Sequence, residues 1–361
     1  YYITGHGFGH ATRSLTVIAR LLADHPRTRI VVRSPVPAWF LSHSGPPGVE
    51  LQAMTPDTGV VQVDAMAIDE QATAARARDF YATFDRRVHE EADAIGALRP
   101  SVVVGDIPAL AFAAARQAGV PSVAVANFTW DWIYQAYPRF ETVAPGVTAT
   151  IGDAYAAATV ALRLPFAGGF DTMRQVTRDI PLVARQSRLG RDAARRRLQL
   201  GGERPVVLAS FGGHRTLVPY AHIATTNRLT LLLTDHEQAD APPHPHVRCV
   251  TADQLHRLDL RYEDLVAAAD VVVSKPGYGI VSECIANDTA LLYTSRGHFA
   301  ENAVMVSAMG DVARVRFIEQ DVLRAGVWEA SIEALLAQPA PARQMPAHGA
   351  AVAAAAIADL L

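Results

Sequence analysis

Cysteine is scarce in this chain, and neither sign of charge dominates it. Two cysteines occur in 361 residues, and 33 Lys and Arg stand against 36 Asp and Glu for a net charge of −3. Cys249 and Cys284 each lie in an apolar run, which predicts buried free thiols, no disulfide, and a reducing cytoplasmic setting. The even charge balance gives no general footprint for nucleic acid. The one dense basic stretch, 185–197, could touch phosphates or form a solvated helix face, and it reads as a linker followed by a helix. No apolar run reaches the length a membrane helix needs, and no basic region followed by a hydrophobic stretch opens the chain, so a soluble protein is expected. The chain starts almost inside its first strand, which implies a few residues ahead of Tyr1. No Asp-x-Asp closes a strand and no histidine and carboxylate cluster has ligand spacing, so no metal is expected. No short-period repeat occurs, only a weak correspondence between the two halves.

Half of the residues are hydrophobic, and the length exceeds one ordinary core. Short β-branched runs alternate with alanine-rich stretches, the pattern of parallel sheets with crossover helices. In the first half the predicted strands are 1–3, 30–33, 102–105 and 122–126, with 160–164 closing the sheet, and the helices are 10–23, 70–98, 109–118 and 147–157. The pattern breaks at 180–182. A second series of strands follows at 206–210, 229–233, 247–250, 271–273 and 290–293. A Pro- and Ala-rich stretch, 338–342, precedes a last helix, 349–361, able to cross back to the first half. The expected fold class is α/β, with two Rossmann-like domains whose parallel sheets face a central cleft. The expected divisions are 1–180, 181–345 and a terminal 346–361 helix.

Two glycine turns stand out, each between a strand and a helix. Thr4-Gly5-His6-Gly7-Phe8-Gly9-His10 follows the first strand, and Lys275-Pro276-Gly277-Tyr278-Gly279 follows 271–273 with Glu283 one helical turn inside. Free N–H groups and the dipole at such a helix start suit a diphosphate, and Glu283 can accept hydrogen bonds from ribose hydroxyls. Ser210-Phe211-Gly212-Gly213-His214-Arg215 offers further backbone donors and a cation, or simply a tight turn. His10, at a strand's carboxyl end, can take a proton from a hydroxyl, or it can pack at a helix start. His6 reads as structural. Asp106 ends another strand and can orient His10, or cap the helix after Pro108. Trp130 and Asp131, within Asn127-Phe128-Thr129-Trp130-Asp131-Trp132-Ile133-Tyr134, suit a sugar acceptor, and a buried tryptophan anchoring a loop is the alternative. His298-Phe299-Ala300-Glu301-Asn302 opens another helix, so Glu301 and Asn302 can hold sugar hydroxyls or serve as caps.

The order of these motifs resembles the GT-B glycosyltransferases, especially the family that includes the N-acetylglucosaminyltransferase making lipid II. More closely, Tyr2 to Arg13, Val61-Gln62-Val63-Asp64-Ala65, Asn127 to Tyr134 and Gly277 to Glu283 are similar to the glycosyltransferase-like region of plant L-arabinokinases and its stand-alone bacterial relatives. The resemblance implies a nucleotide-sugar donor in the second domain, an acceptor in the first, and metal-independent inverting transfer without a cofactor. His10 then matches the base, Glu283 the ribose ligand, and Glu301 and Asn302 the donor-sugar contacts. Gly212, Gly213, His214, Arg215, Lys275, Gly277, Tyr278, Gly279 and His298 fall on the donor side, and Gly7, Phe8, Trp130 and Asp131 on the acceptor side. Uracil is the base these families favour, to be stacked near Arg261 and Tyr262. A small molecule or a glycan would be the acceptor. The kinase half with its Ser-rich phosphate loop is absent, so sugar kinase activity is not expected. Lys275-Pro276 departs from the Arg or Ser and small residue common there. Two other readings stay open: a sugar-nucleotide-binding module without turnover, and an epimerase or hydrolase on the same fold.

Overall fold

The computed structural model describes residues 1–63, 67–211, 222–223, 228–234 and 244–361. Two parallel sheets organise them. The first takes β1 (Tyr2–Ile3), β2 (Val31–Ser34), β3 (Glu50–Ala53), β6 (Val103–Asp106), β7 (Ser122–Phe128), β8 (Val160–Gly168) and β9 (Thr177–Asp179), in the order β3-β2-β1-β6-β7-β8-β9. The pair β4 (Val61–Gln62) and β5 (Ile68–Asp69) forms a small antiparallel ribbon beside it. The second sheet takes β10 (Val206–Ala209), β11 (Thr230–Thr234), β12 (Val247–Val250), β13 (Val271–Ser274), β14 (Ala290–Tyr293) and β15 (Val315–Phe317), in the order β12-β11-β10-β13-β14-β15.

Each sheet reverses its strand order beside its own first strand, at β1 against β6 and at β10 against β13. Chain leaving the carboxyl ends of two such strands diverges, and the crevice left there is where open α/β sheets take ligands. Both glycine turns emerge at these points. Register does the rest: Ile3 lies opposite Asp106, which brings the turn after β1 beside the carboxylate that ends β6.

The central strands are buried on both faces, and their continuous apolar runs are what the sequence shows. Edge strands β3, β9 and β15 are not expected from the sequence. They are half-exposed or fully exposed, so no apolar periodicity marks them. Because β9 lies outside β8, the 160–164 run does not close the sheet. The single helix expected over 70–98 is two, Glu70–Tyr81 and Phe84–Leu98, the first capped by the Asp69 side chain accepting from the Ala72 N–H at 2.8 Å. Cys284 is a buried free thiol, whereas Cys249, on edge strand β12, is only half-buried.

Part of the basic stretch is bound to the second half, and part is a solvated face at Arg188, Arg196 and Arg197. Arg191 and Arg195 pair with Asp270 at 3.0 and 2.7 Å, and Arg197 donates to the Leu258 and Asp259 carbonyls. The last helix, Gly349–Ala358, lies along the Phe8–Asp24 helix. Leu182 donates to the Pro346 carbonyl and Gly349 to that of Leu182, at 3.0 and 2.9 Å, which returns the chain along the linker. A Cβ at Gly349 would stand 2.0 Å from the Pro181 carbonyl oxygen, so glycine is required for this approach. Phe299, from the second half, is buried among the first half's rings, 5.8 Å from both Phe128 and His6. No described helix is long and apolar enough to cross a membrane.

Candidate active site at the two glycine turns

The site starts from the Phe8–Asp24 helix, whose first turns carry His10, Arg13 and Ser14 inward. Gly7 precedes the helix at φ 72°, a left-handed conformation that glycine adopts without strain. His10, Arg13 and Ser14 share one helix face by their spacing and are all buried. All three converge on Asp106, which is fully buried. Its carboxylate takes His10 Nδ1 at 2.8 Å, Arg13 Nη2 and Nε at 2.6 Å each, and the Ser14 hydroxyl at 2.9 Å.

These contacts fix protonation. Burial alone would raise the Asp106 carboxyl, but Arg13 and then His10 outweigh it and hold it at about 2. An ionised carboxylate only accepts, so a proton on Nδ1 of His10 answers Asp106 and leaves Nε2 basic, while Arg13 Nη2, a donor 2.9 Å from the same nitrogen, competes with that tautomer. Burial, followed by repulsion from Arg13, keeps the imidazole below its ordinary value against the pull of Asp106. His10 is therefore neutral near pH 7, the state a general base requires. Asp106 does not cap the helix after Pro108; the Ala109–Gln117 helix has no side-chain cap.

From Arg13 the polar chain runs on into the second half. Arg13 Nη1 donates to Asn127 Oδ1 at 2.5 Å, and Asn127 Nδ2 donates to Glu301 Oε1 at 2.7 Å. The other oxygen of Glu301 receives Arg296 Nη1 at 3.1 Å, and the same nitrogen donates to the Pro276 carbonyl at 3.3 Å. Arg296 lies over the Phe299 ring at 4.3 Å, and Arg13 over the Tyr278 ring at 5.2 Å. Glu301 is thus occupied on both oxygens, and neighbouring Asn302 keeps its buried Oδ1 without a hydrogen-bond partner.

The second turn meets the first. A Cβ on Gly279 would stand 3.5 Å from Gly9 Cα, ordinary van der Waals contact, so the two turns lie directly against each other. Gly277 is the N-cap of the Tyr278–Ala286 helix, which has no side-chain cap and no acidic residue in its first turn. Its first N–H groups are left to a ligand or water. The Tyr278 side chain is buried and accepts from the Val183 N–H at 3.2 Å, so only its backbone can serve a ligand. Lys275 stands half-buried just beyond β13.

Several expected ligand contacts are otherwise engaged. Glu283 is buried against Arg185 Nη2 at 2.6 Å, and Arg185 lies over the Tyr262 ring at 5.0 Å. Burial raises the Glu283 carboxyl, with Arg185 opposing. The exposed imidazole of His298 faces Glu70 of the first half at 2.8 Å. Trp130 corrects the sequence reading: it is fully buried and cannot stack on an acceptor, because its ring packs between Phe128 and Tyr134 and its N–H reaches Asp57 at 2.9 Å. Asp131 is half-buried with its carboxyl raised by burial. Phe8 stacks on Phe40 at 4.4 Å, beside exposed Trp39. Gly212, Gly213, His214 and Arg215 lie outside the described residues, as do Asp64 and Ala65.

Sequence reasoning missed Arg13, Asn127, Arg296 and Asp57. Arg13 had a usable signal, its place three residues after His10 on one helix face. Asp57 sits in Thr55-Pro56-Asp57-Thr58-Gly59, which reads only as a turn. No group of histidine, cysteine and carboxylate side chains among the described residues could hold a metal ion.

No family model matches the chain. It is 29% identical over 347 residues to the L-arabinokinase of Arabidopsis thaliana, covering 92% of this chain and 31% of that protein, about a third of its length. Among solved structures, the calicheamicin glycosyltransferase CalG4 matches all of the chain and 97% of its own, with a TM-score of 0.65 at 16% identity. The glycosyltransferase of kitacinnamycin matches all of the chain and 98% of its own, with 0.63 at 20%. Phytolacca americana UGT2, solved with UDP-2-fluoro-glucose and pterostilbene, matches 99% and 93%, with 0.58 at 14%. Two parallel Rossmann-like sheets, meeting through glycine turns at their switch points and superposing along their whole length on these enzymes, give the chain the GT-B glycosyltransferase fold.

Proposed function

We propose that this chain is an enzyme that transfers a sugar from a nucleoside diphosphate sugar, a UDP-sugar by preference, to a hydroxyl of a small molecule or glycan. The observation that carries the reading is His10, neutral, oriented by Asp106, and seated beside an uncapped helix start. In this mechanism Nε2 of His10 removes the acceptor hydroxyl's proton while that oxygen attacks the anomeric carbon opposite the diphosphate. One glycosidic C–O bond forms, the bond to the diphosphate breaks, and configuration inverts. Backbone donors at Gly277, Tyr278 and Gly279 receive the departing charge without a metal or cofactor. The 1–180 half would hold the acceptor, near Gly7, Phe8 and Asp131, and the 181–345 half the donor, with Glu283 at the ribose and Glu301 and Asn302 at the sugar. A cytoplasmic setting suits the free thiols.

One observation favours a second reading, a binding module without turnover. Arg13 already neutralises Asp106, which leaves less charge to stabilise an imidazolium. Release of free diphosphate from UDP-glucose and related donors, with and without a panel of hydroxyl acceptors, decides between them. Acceptor-dependent release supports transfer, binding without release supports the module, and acceptor-independent release points to a hydrolase.

A further inference from the structure

Arg296 is a buried cation beside the second glycine turn. It follows β14 in a half-buried loop, its side chain is 8% exposed, and its Nε has no hydrogen-bond partner. A Cβ built on Gly277 would meet one described atom within 4 Å, Nη1 of Arg296 at 3.8 Å. Among the described residues, the space over the helix start is walled on one side by this guanidinium, which is tethered to the Pro276 carbonyl immediately before the turn. The Phe299 ring beneath holds the guanidinium plane, and desolvation strengthens its field toward an anion. Its one carboxylate partner among the described residues is Glu301, and Asn127 donates to the other oxygen of that carboxylate from across the interface.

We infer that Arg296 is a diphosphate-binding residue, which completes with its guanidinium the anion site that the Gly277, Tyr278 and Gly279 amides begin. The inference rests on the nucleotide-sugar reading of the site and adds a side chain to it. A buried arginine with an unmet donor is under-satisfied even beside a carboxylate; a diphosphate supplies further acceptor oxygens and a larger negative charge than Glu301 does. The Glu301 carboxylate is then the internal competitor. It neutralises Arg296 while the site is empty and yields it when a stronger anion arrives.

Calorimetry with inorganic pyrophosphate, UDP and uridine, on the full chain and three variants, tests this. Arg296→Gln is expected to weaken pyrophosphate and UDP about 10- to 100-fold while uridine is unchanged, and Arg296→Lys to recover part of the loss. Glu301→Gln removes the competitor and is expected to tighten pyrophosphate several-fold, an opposite sign that no misfolded variant would give. Pyrophosphate affinity unchanged in Arg296→Gln, or not tightened in Glu301→Gln, overturns the role of Arg296 and leaves the nucleotide reading standing. Absence of pyrophosphate and UDP binding to the unaltered chain overturns both.

Discussion

Asn127 donates to Glu301 at 2.7 Å, from the end of a strand in the first half to the first turn of a helix in the second. The same side chain accepts from Arg13. It is fully buried, so each of its bonds is made away from competing water. Asn127→Ala strands a carboxylate oxygen and a guanidinium nitrogen at once. The expected loss is about 2–3 kcal/mol, read as a lower urea midpoint. A midpoint within error of the unaltered chain would show that the bond across the interface contributes nothing.

Removing the His10 ring separates chemistry from binding. His10→Ala is expected to lower turnover by about two orders of magnitude or more while UDP affinity is unchanged. Near-normal turnover would rule out His10 as the base. The pH profile of the unaltered chain should agree in sign. Because burial and Arg13 hold the imidazole below its ordinary value, the rate should rise as the imidazolium loses its proton below pH 6.5 and then stay flat through neutrality.

Arg13 governs both members of the pair. Arg13→Met leaves the Asp106 charge buried with only His10 and Ser14 to meet it, at a cost of about 3–5 kcal/mol. It also removes the guanidinium that repels a second positive charge, so the His10 imidazole should titrate at higher pH, followed by its ring nitrogen resonances. An imidazole titration unmoved by the substitution would mean that burial alone sets it. In the unaltered chain, Asp106 is held at about 2, so its contribution to stability is complete above pH 4 and is lost as pH falls from there through 2.

How much of this was legible follows from what kind of contact each residue makes. His10 and Asp106 could be placed because each ends a strand, and adjacent parallel strands bring their carboxyl ends together. The alternation of apolar runs likewise showed the central strands. The edge strands did not show, since Glu50–Ala53 buries no face. Trp130 was misread because an aromatic next to an acid suggests a sugar platform, while its actual partner, Asp57, lies 73 residues away on a segment with no periodic signal. Asn127 acts through a contact between halves, and no local pattern encodes that.

Asp57 also carries a pH-dependent liability. Its carboxylate is buried, accepting from the Thr4 hydroxyl at 2.7 Å and from the Trp130 indole at 2.9 Å, and among the described residues it has no cation within bonding distance. Burial raises it to about 6, with the two hydrogen bonds opposing. A carboxyl raised in the folded state favours folding while it is protonated, and that benefit is lost as pH climbs through 6. Asp57→Asn keeps an acceptor for the indole and never ionises. The stability of the variant relative to the unaltered chain should be greater at pH 8 than at pH 5 by about 1–2 kcal/mol, seen as a melting-temperature difference that grows by a few degrees. A melting difference that stays constant between pH 5 and pH 8 would mean that Asp57 ionises without cost, and that the turn at 55–59 relaxes to admit water.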